Sequence, residues 1–249
     1  MNLIGIIGGS GLCDYPGLEI MDVVTVETPF GQPSAPIRLG KLEGNPVAFL
    51  PRHGEKHAIS PHKINYRANI YALKQAGVTD ILAVAAVGGI TANYGPGRLA
   101  VPDQIIDYTY GREQSFYSDD FSADKHIDFT LPYTESLRQN ILQVAAKQTL
   151  KVWDGATYGA VQGPRLETAA EIRRMAQDGC DLVGMTGMPE AYLARELGIN
   201  YATLAVVANW GAGIVDGETL SMQQISDTLA AGIDNVRTII AGVIALQQS

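Results

Sequence analysis

The chain predicts an α/β fold in one domain, with a central, mainly parallel mixed sheet flanked by helices. Three observations carry that expectation. Short, uniformly apolar runs recur along the chain, as strands buried on both faces do. Stretches with helical spacing separate them, and glycine, proline or a capping residue marks most of the changes from one to the other. Repeated βα units of this kind put ligand sites beyond the carboxyl ends of the strands. With 249 residues, 46% of them hydrophobic, residues 1–249 can share one core, so a single domain is expected.

Leu3 to Ile7 is apolar and ends at Gly8-Gly9, the pattern of a buried first strand entering a loop. Pro46 to Pro51 is a second strand, with Arg52-His53-Gly54 directly at its end. Ser60 before Pro61 predicts a helix start, followed by Ile64, Ala68, Tyr71, Ala72 and Gln75 at helical spacing. Asp80 to Val87 is uniformly apolar and closes at Gly88-Gly89, a strand buried on both faces. Tyr108 to Tyr133 is polar, aromatic and irregular, a surface or intersubunit excursion that carries His126.

Thr134 opens a helix to about Gln148, and a strand near Gly155 to Val161 leads into Gln162-Gly163-Pro164-Arg165-Leu166-Glu167. Thr168 and Glu171 have the spacing of a capping box for the next helix. Asp181 to Met185 reads as a strand, Pro189 to Leu197 as a helix and Tyr201 to Ala208 as a strand. The last helix begins at Ser221 and aligns Ile225, Leu229, Ile233, Val236, Ile240 and Val243 on one face.

A formal charge of −8 without any Lys/Arg-rich run argues against nucleic acid or an anionic membrane as a partner and favours small molecules. Cys13 and Cys180 stand far apart, outside any Cys/His cluster, so neither a disulfide framework nor a metal site is expected. The N-terminal segment has no basic leader and too short an apolar run for a signal or a membrane span, so the expected location is cytoplasmic.

Polar residues at the strand ends are the candidates for chemistry. Gly8-Gly9-Ser10-Gly11 can offer backbone amides and a hydroxyl to an anion, although a plain tight turn is the simpler reading of the bare pattern. Arg52 supplies a planar fork able to grip an anion in two places, and His53 an imidazole able to donate; an exposed polar pair explains them equally. Thr186 adds a third hydroxyl at the end of another strand, where Met185 reads by default as packing. Glu167 precedes a capping box that does not need it, and Asn209 ends a strand either as a turn residue or as an amide that both donates and accepts.

Taken together, Ile6-Ile7-Gly8-Gly9-Ser10-Gly11, Pro51-Arg52-His53-Gly54, Asn65-Tyr66-Arg67-Ala68-Asn69, Gln162-Gly163-Pro164-Arg165 and Gly184 to Glu190 resemble the methylthioadenosine and purine nucleoside phosphorylase family over nearly the whole chain. The resemblance implies cleavage of a purine nucleoside by inorganic phosphate as co-substrate, with no metal or organic cofactor, in a homotrimer with sites near subunit interfaces. It implies that Ser10, Arg52, His53 and Thr186 hold phosphate and that Met185 packs by the ribose. Asn209 and Glu167 would face the base, with Leu166, Gly88 and Gly211 also in the nucleoside site. His57 falls near the nucleoside 5′ end, and His126 lies in a segment that in relatives reaches a neighbouring subunit.

Adenine-cleaving relatives carry aspartates where this chain has Asn209 and Gly211. An asparagine can accept from purine N7–H and donate to O6, and Glu167 can accept from an N1–H that adenine lacks. The base site thus resembles that of the methylthioinosine-cleaving bacterial branch. Two departures stand out, Ala85 in place of a common threonine and Leu166 in place of an aromatic. Rival readings are an adenine-specific methylthioadenosine phosphorylase, with Asp216 supplying the carboxylate, a general inosine/guanosine phosphorylase, a nucleoside hydrolase, and a noncatalytic nucleoside-binding module.

Overall fold

The computed structural model describes residues 3–12, 15–217 and 221–248; Cys13 lies outside them. In chain order the strands and helices are β1 (Leu3–Gly8), β2 (Leu18–Val24), β3 (Ile37–Leu42), β4 (Asn45–Pro51), α1 (Tyr66–Gln75), β5 (Val78–Gly89), β6 (Leu99–Val101) and β7 (Gln104–Asp107). Then follow α2 (Glu135–Lys147), β8 (Val152–Asp154), β9 (Thr157–Ala160), α3 (Ala169–Gln177), β10 (Leu182–Gly184), α4 (Gly187–Glu196), β11 (Asn200–Trp210) and α5 (Met222–Gln248).

All the strands join one mixed sheet with β5 at its centre. β5 runs parallel to β1 and β11, pairing Leu82 with Ile6 and Ala85 with Ala205, and β1 runs parallel to β4. β10 lies antiparallel on the end of β5, Val183 opposite Gly88, and parallel to β9, which pairs with β7. β6 joins β11 to β8, while β2, β3 and β4 form an antiparallel edge.

Alternate residues of the central strands feed two cores. Ile7, Ala83 and Ala205 pack with Ile70 and Leu73 of α1 and Leu193 of α4. Ile6, Leu82 and Leu204 pack on the other face with Ile141 of α2 and Val236, Ile240 and Val243 of α5. Burial on both faces is why these strands read as unbroken apolar runs. Met222–Gln247 of α5 is long and apolar enough to cross a membrane by length and composition, yet its stripe from Val236 to Ile244 closes this second core.

One helix start differs from the expectation. Ser60 makes no capping bond, and Pro61–Lys63 form only one 3-10 turn. The helix proper begins at Tyr66, where the Asn65 side chain accepts from the Ala68 amide at 3.1 Å. Thr134 opens α2 as expected, and its hydroxyl accepts from the Tyr201 amide at 3.1 Å, tying α2 to the sheet. α4 includes a first turn at Gly187, but Met188 lies outside helical angles at φ −120°, ψ 140°, so its regular turns begin at Pro189 as expected.

Candidate active site

β1, β4, β5, β10 and β11 all deliver their carboxyl ends to one cavity of about 450 Å³, a size suited to a small organic ligand. It is lined by Ser10, Arg52, His53, His57, Gly88, Leu166, Glu167, Met185, Thr186 and Asn209, and it is bordered by Ile59 and by Met222 and Ile225 from the start of α5. Residues spread through the sequence are thus gathered at one place.

Two expected residues are not among them. Gly211 donates its amide to Gly89 O at 2.7 Å, and a Cβ there would meet Ile172 at 3.1 Å, so it seals the end of the β5–β11 pair instead. His126 is exposed, its ring 5.0 Å edge-on to Phe121, and this chain does not bring it to the cavity. Asp216 is also exposed and outside the lining.

At one end, the loop after β1 runs hard against the sheet. A Cβ on Gly9 would lie 2.5 Å from Val84 O and 2.9 Å from Arg52 Nη1, so only glycine fits. Ser10 Oγ lies 3.4 Å from His57 Nε2, and the His53 and His57 rings sit 4.4 Å apart. His57 takes the left-handed φ of 51°, rare for a residue with a side chain, in order to face Ser10.

Arg52 is only 1% exposed. Its Nε and Nη2 donate to the two carboxylate oxygens of Glu190, each at 2.7 Å, and Nη1 donates to Val84 O at 2.8 Å. The fork expected to grip an anion is therefore occupied by Glu190. A guanidinium has five N–H groups; one on Nη1 and one on Nη2 are left over. Burial alone would lower the Arg52 pKa, but Glu190 outweighs it and the net shift is upward.

Burial, and then the Arg52 charge, push His53 down to about 4, and the same two causes lower His57. His53 Nδ1 lies 2.8 Å from Ile59 O. Thr186 stands at the start of α4, where its hydroxyl makes no capping bond.

At the other end, Asn209 Nδ2 donates to Trp210 O at 2.7 Å, which fixes the amide and leaves its oxygen and one N–H for a ligand. Thr168 and Glu171 close the expected capping box on each other, at 2.7 and 3.1 Å. Glu167 is thereby released from capping, and burial raises its pKa. Leu166 is 38% exposed at the rim.

Two organising residues went unread in the sequence. Glu190 is fully buried and also accepts from the Tyr201 hydroxyl at 2.8 Å. Its spacing to Leu193 and Ala194 was the available signal, because a carboxylate on an apolar helical stripe demands a cationic partner. Arg112, from the irregular segment, donates to Met185 O and Met188 O at 2.9 and 2.6 Å, and to Val161 O and Gln162 O at 3.1 and 2.8 Å. It ties the segment carrying Leu166 and Glu167 to the one carrying Met185 and Thr186, and nothing in its sequence neighbourhood announces this.

A cavity at the carboxyl edge of a mixed sheet, lined by the glycine loop after β1, a fixed amide and a carboxyl, is the arrangement in which α/β folds hold small ligands. The chain belongs to the Phosphorylase superfamily, whose family model matches residues 3–245. It is 50% identical over 237 residues, 95% of each chain, to a protein of Xanthomonas campestris pv. campestris described as a probable S-methyl-5′-thioinosine phosphorylase. It is 41% identical to a probable 6-oxopurine nucleoside phosphorylase of Moorella thermoacetica, covering 97% of this chain and 92% of that one. Among solved structures it matches the methylthioadenosine phosphorylase of Schistosoma mansoni in complex with adenine, with a TM-score of 0.94 and 32% identity over 100% of this chain and 92% of that one.

Proposed function

We infer that this chain cleaves purine nucleosides with inorganic phosphate and prefers S-methyl-5′-thioinosine, giving hypoxanthine and 5-methylthioribose 1-phosphate. The observation that carries the base preference is Asn209, held by Trp210 O in the same cavity as Glu167, which capping leaves free. The exposure of Asp216 outside the cavity removes the support for an adenine-directed carboxylate.

Phosphate is held by Ser10, Arg52, His53 and Thr186, with Met185 against the ribose. A phosphate oxygen attacks C1′ as the bond from C1′ to N9 lengthens, and the bonding electron pair leaves with the purine. One phosphate proton ends on the base, so the reaction balances without a cofactor. Asn209 Oδ1 accepts from N7–H, a bond that strengthens as charge reaches the purine, and this lowers the barrier selectively. Ile59, Ile225 and Met222 give the cavity an apolar wall suited to a 5′-methylthio group rather than a hydroxyl. The assembly is a cytoplasmic homotrimer serving purine salvage, in which His126 contacts a neighbouring site.

The experiment is base release from methylthioinosine, methylthioadenosine, inosine and adenosine, each with and without phosphate. Phosphate-dependent cleavage that favours methylthioinosine supports the reading; phosphate-independent cleavage marks a hydrolase and overturns it.

Two further outcomes are expected. Gly9→Ala drives a methyl into Val84 O and displaces Arg52; with misplacements near 1 Å costing about 10²-fold, kcat/KM for phosphate falls by about that factor. Ionised Glu167 accepts from N1–H more strongly than its protonated form, and burial raises its pKa. Catalytic efficiency on methylthioinosine is therefore highest above that raised pKa and declines as pH falls through it. Glu167→Gln lowers the plateau and removes this acid limb, while a limb that persists in the variant belongs to another group.

A further inference from the structure

The anion end of the cavity carries almost no net charge. Arg52 is the one lysine or arginine among the residues lining it, and its charge is met at 2.7 Å, on two oxygens, by the buried Glu190 carboxylate. The other groups bearing on His53 are His57, from its own segment, and Arg52 itself. In the same segment Glu55 pairs with Arg38 at 3.3 Å, and both Glu55 and Lys56 are exposed outside the lining. A dianion placed here meets a paired arginine and two rings whose pKa values burial and the Arg52 charge both lower.

His53 has a fixed tautomer. A carbonyl oxygen can only accept, so the contact of Nδ1 with Ile59 O at 2.8 Å puts the ring proton on Nδ1. In the neutral ring Nε2 is then a bare lone pair, for which the described residues provide no partner. A lone pair repels the oxygens of a fully deprotonated phosphate and binds well only where a proton lies between nitrogen and oxygen.

We propose that this cavity takes up phosphate together with one proton, so that the occupied site holds dihydrogen phosphate against His53 Nε2, or the equivalent arrangement with the proton on the nitrogen. The proposal rests on the reading that phosphate occupies this end of the cavity. It follows from two contacts: Glu190 on Arg52 offsets the nearby positive charge, and Ile59 O on His53 Nδ1 leaves Nε2 without a proton to donate.

The test is isothermal titration of inorganic phosphate onto the full-length protein, at a pH where free phosphate is mostly dianion, in buffers of different ionisation enthalpy. About one proton taken up per phosphate bound is expected, with the apparent Kd rising about tenfold per pH unit. In His53→Gln, whose amide supplies a permanent donor, the uptake falls toward zero and the pH slope flattens. Phosphate binding whose heat does not depend on the buffer, or an uptake that persists unchanged in His53→Gln, overturns the proposal. Absence of any phosphate binding overturns the phosphate reading itself, a separate result.

Discussion

Glu190→Gln is expected to destabilise the protein by about 3–5 kcal/mol, the usual cost of removing one partner from a buried ion pair, and to raise the KM for phosphate by about ten- to a hundredfold. The two effects have one origin. The carboxylate takes the Nε and Nη2 donors of Arg52 at 2.7 Å each, with both side chains about 1% exposed. Glutamine can accept with its oxygen, but its amide turns N–H against N–H on the other branch, and the arginine charge is left uncompensated. The guanidinium then leaves the position in which Nη1 sits beside Gly9.

Urea unfolding reads the stability loss, and steady-state kinetics with each substrate varied reads the function. The KM for the nucleoside should move little, because among the described residues the hydrogen bonds of this pair run to Val84 O and Tyr201 and not to Asn209, Glu167 or Met185. An equal rise in both constants would mean that Glu190 only supports the fold. Tyr201→Phe removes the charge-assisted bond donated to Glu190 Oε1 and should cost about 1.5–3 kcal/mol.

What could be read from the sequence follows the physics of burial. β5 and β11 are covered on both faces, so their apolar runs had no other explanation, and the stripe of α5 was visible for the same reason. The antiparallel edge was not legible. β2 leaves Ile20, Met21 and Val23 more than half exposed and shows no alternation. Its neighbours β3 and β4 are joined by Glu43-Gly44 at positive φ, a hairpin turn without the Asn-Gly or Asp-Gly signature.

The site divides in the same way. Ser10, Arg52, Thr186 and Asn209 were legible because each stands where an apolar strand stops. The direction in which Arg52 spends its donors was not, since Glu190 is brought to it by the docking of α4 across 138 positions of sequence. Arg112 was hidden in an irregular segment, and its role is defined by carbonyl groups that any residue could offer.

Asn209→Asp is expected to shift the ratio of catalytic efficiencies on methylthioadenosine over methylthioinosine by about ten- to a hundredfold, the cost of one mismatched buried polar group. Asn209 Nδ2 points at Trp210 O. An ionised aspartate would set an oxygen against that carbonyl, so the carboxyl keeps a proton for it and rotates its other oxygen into the cavity. That oxygen can accept from the 6-amino group of adenine and has nothing to donate to the O6 of hypoxanthine. Glu167, which accepts from N1–H in the 6-oxopurine, still opposes adenine in the single variant. Adding Glu167→Gln supplies a donor for adenine N1 and should move the ratio by a similar further factor, with departures from additivity if the two side chains contact the same base. Efficiencies on the two nucleosides, measured for the parent, both single variants and the double variant, give the full cycle. If Asn209→Asp lowers activity on both nucleosides in the same proportion, the residue aligns the purine without choosing it, and the base preference must reside elsewhere in the cavity.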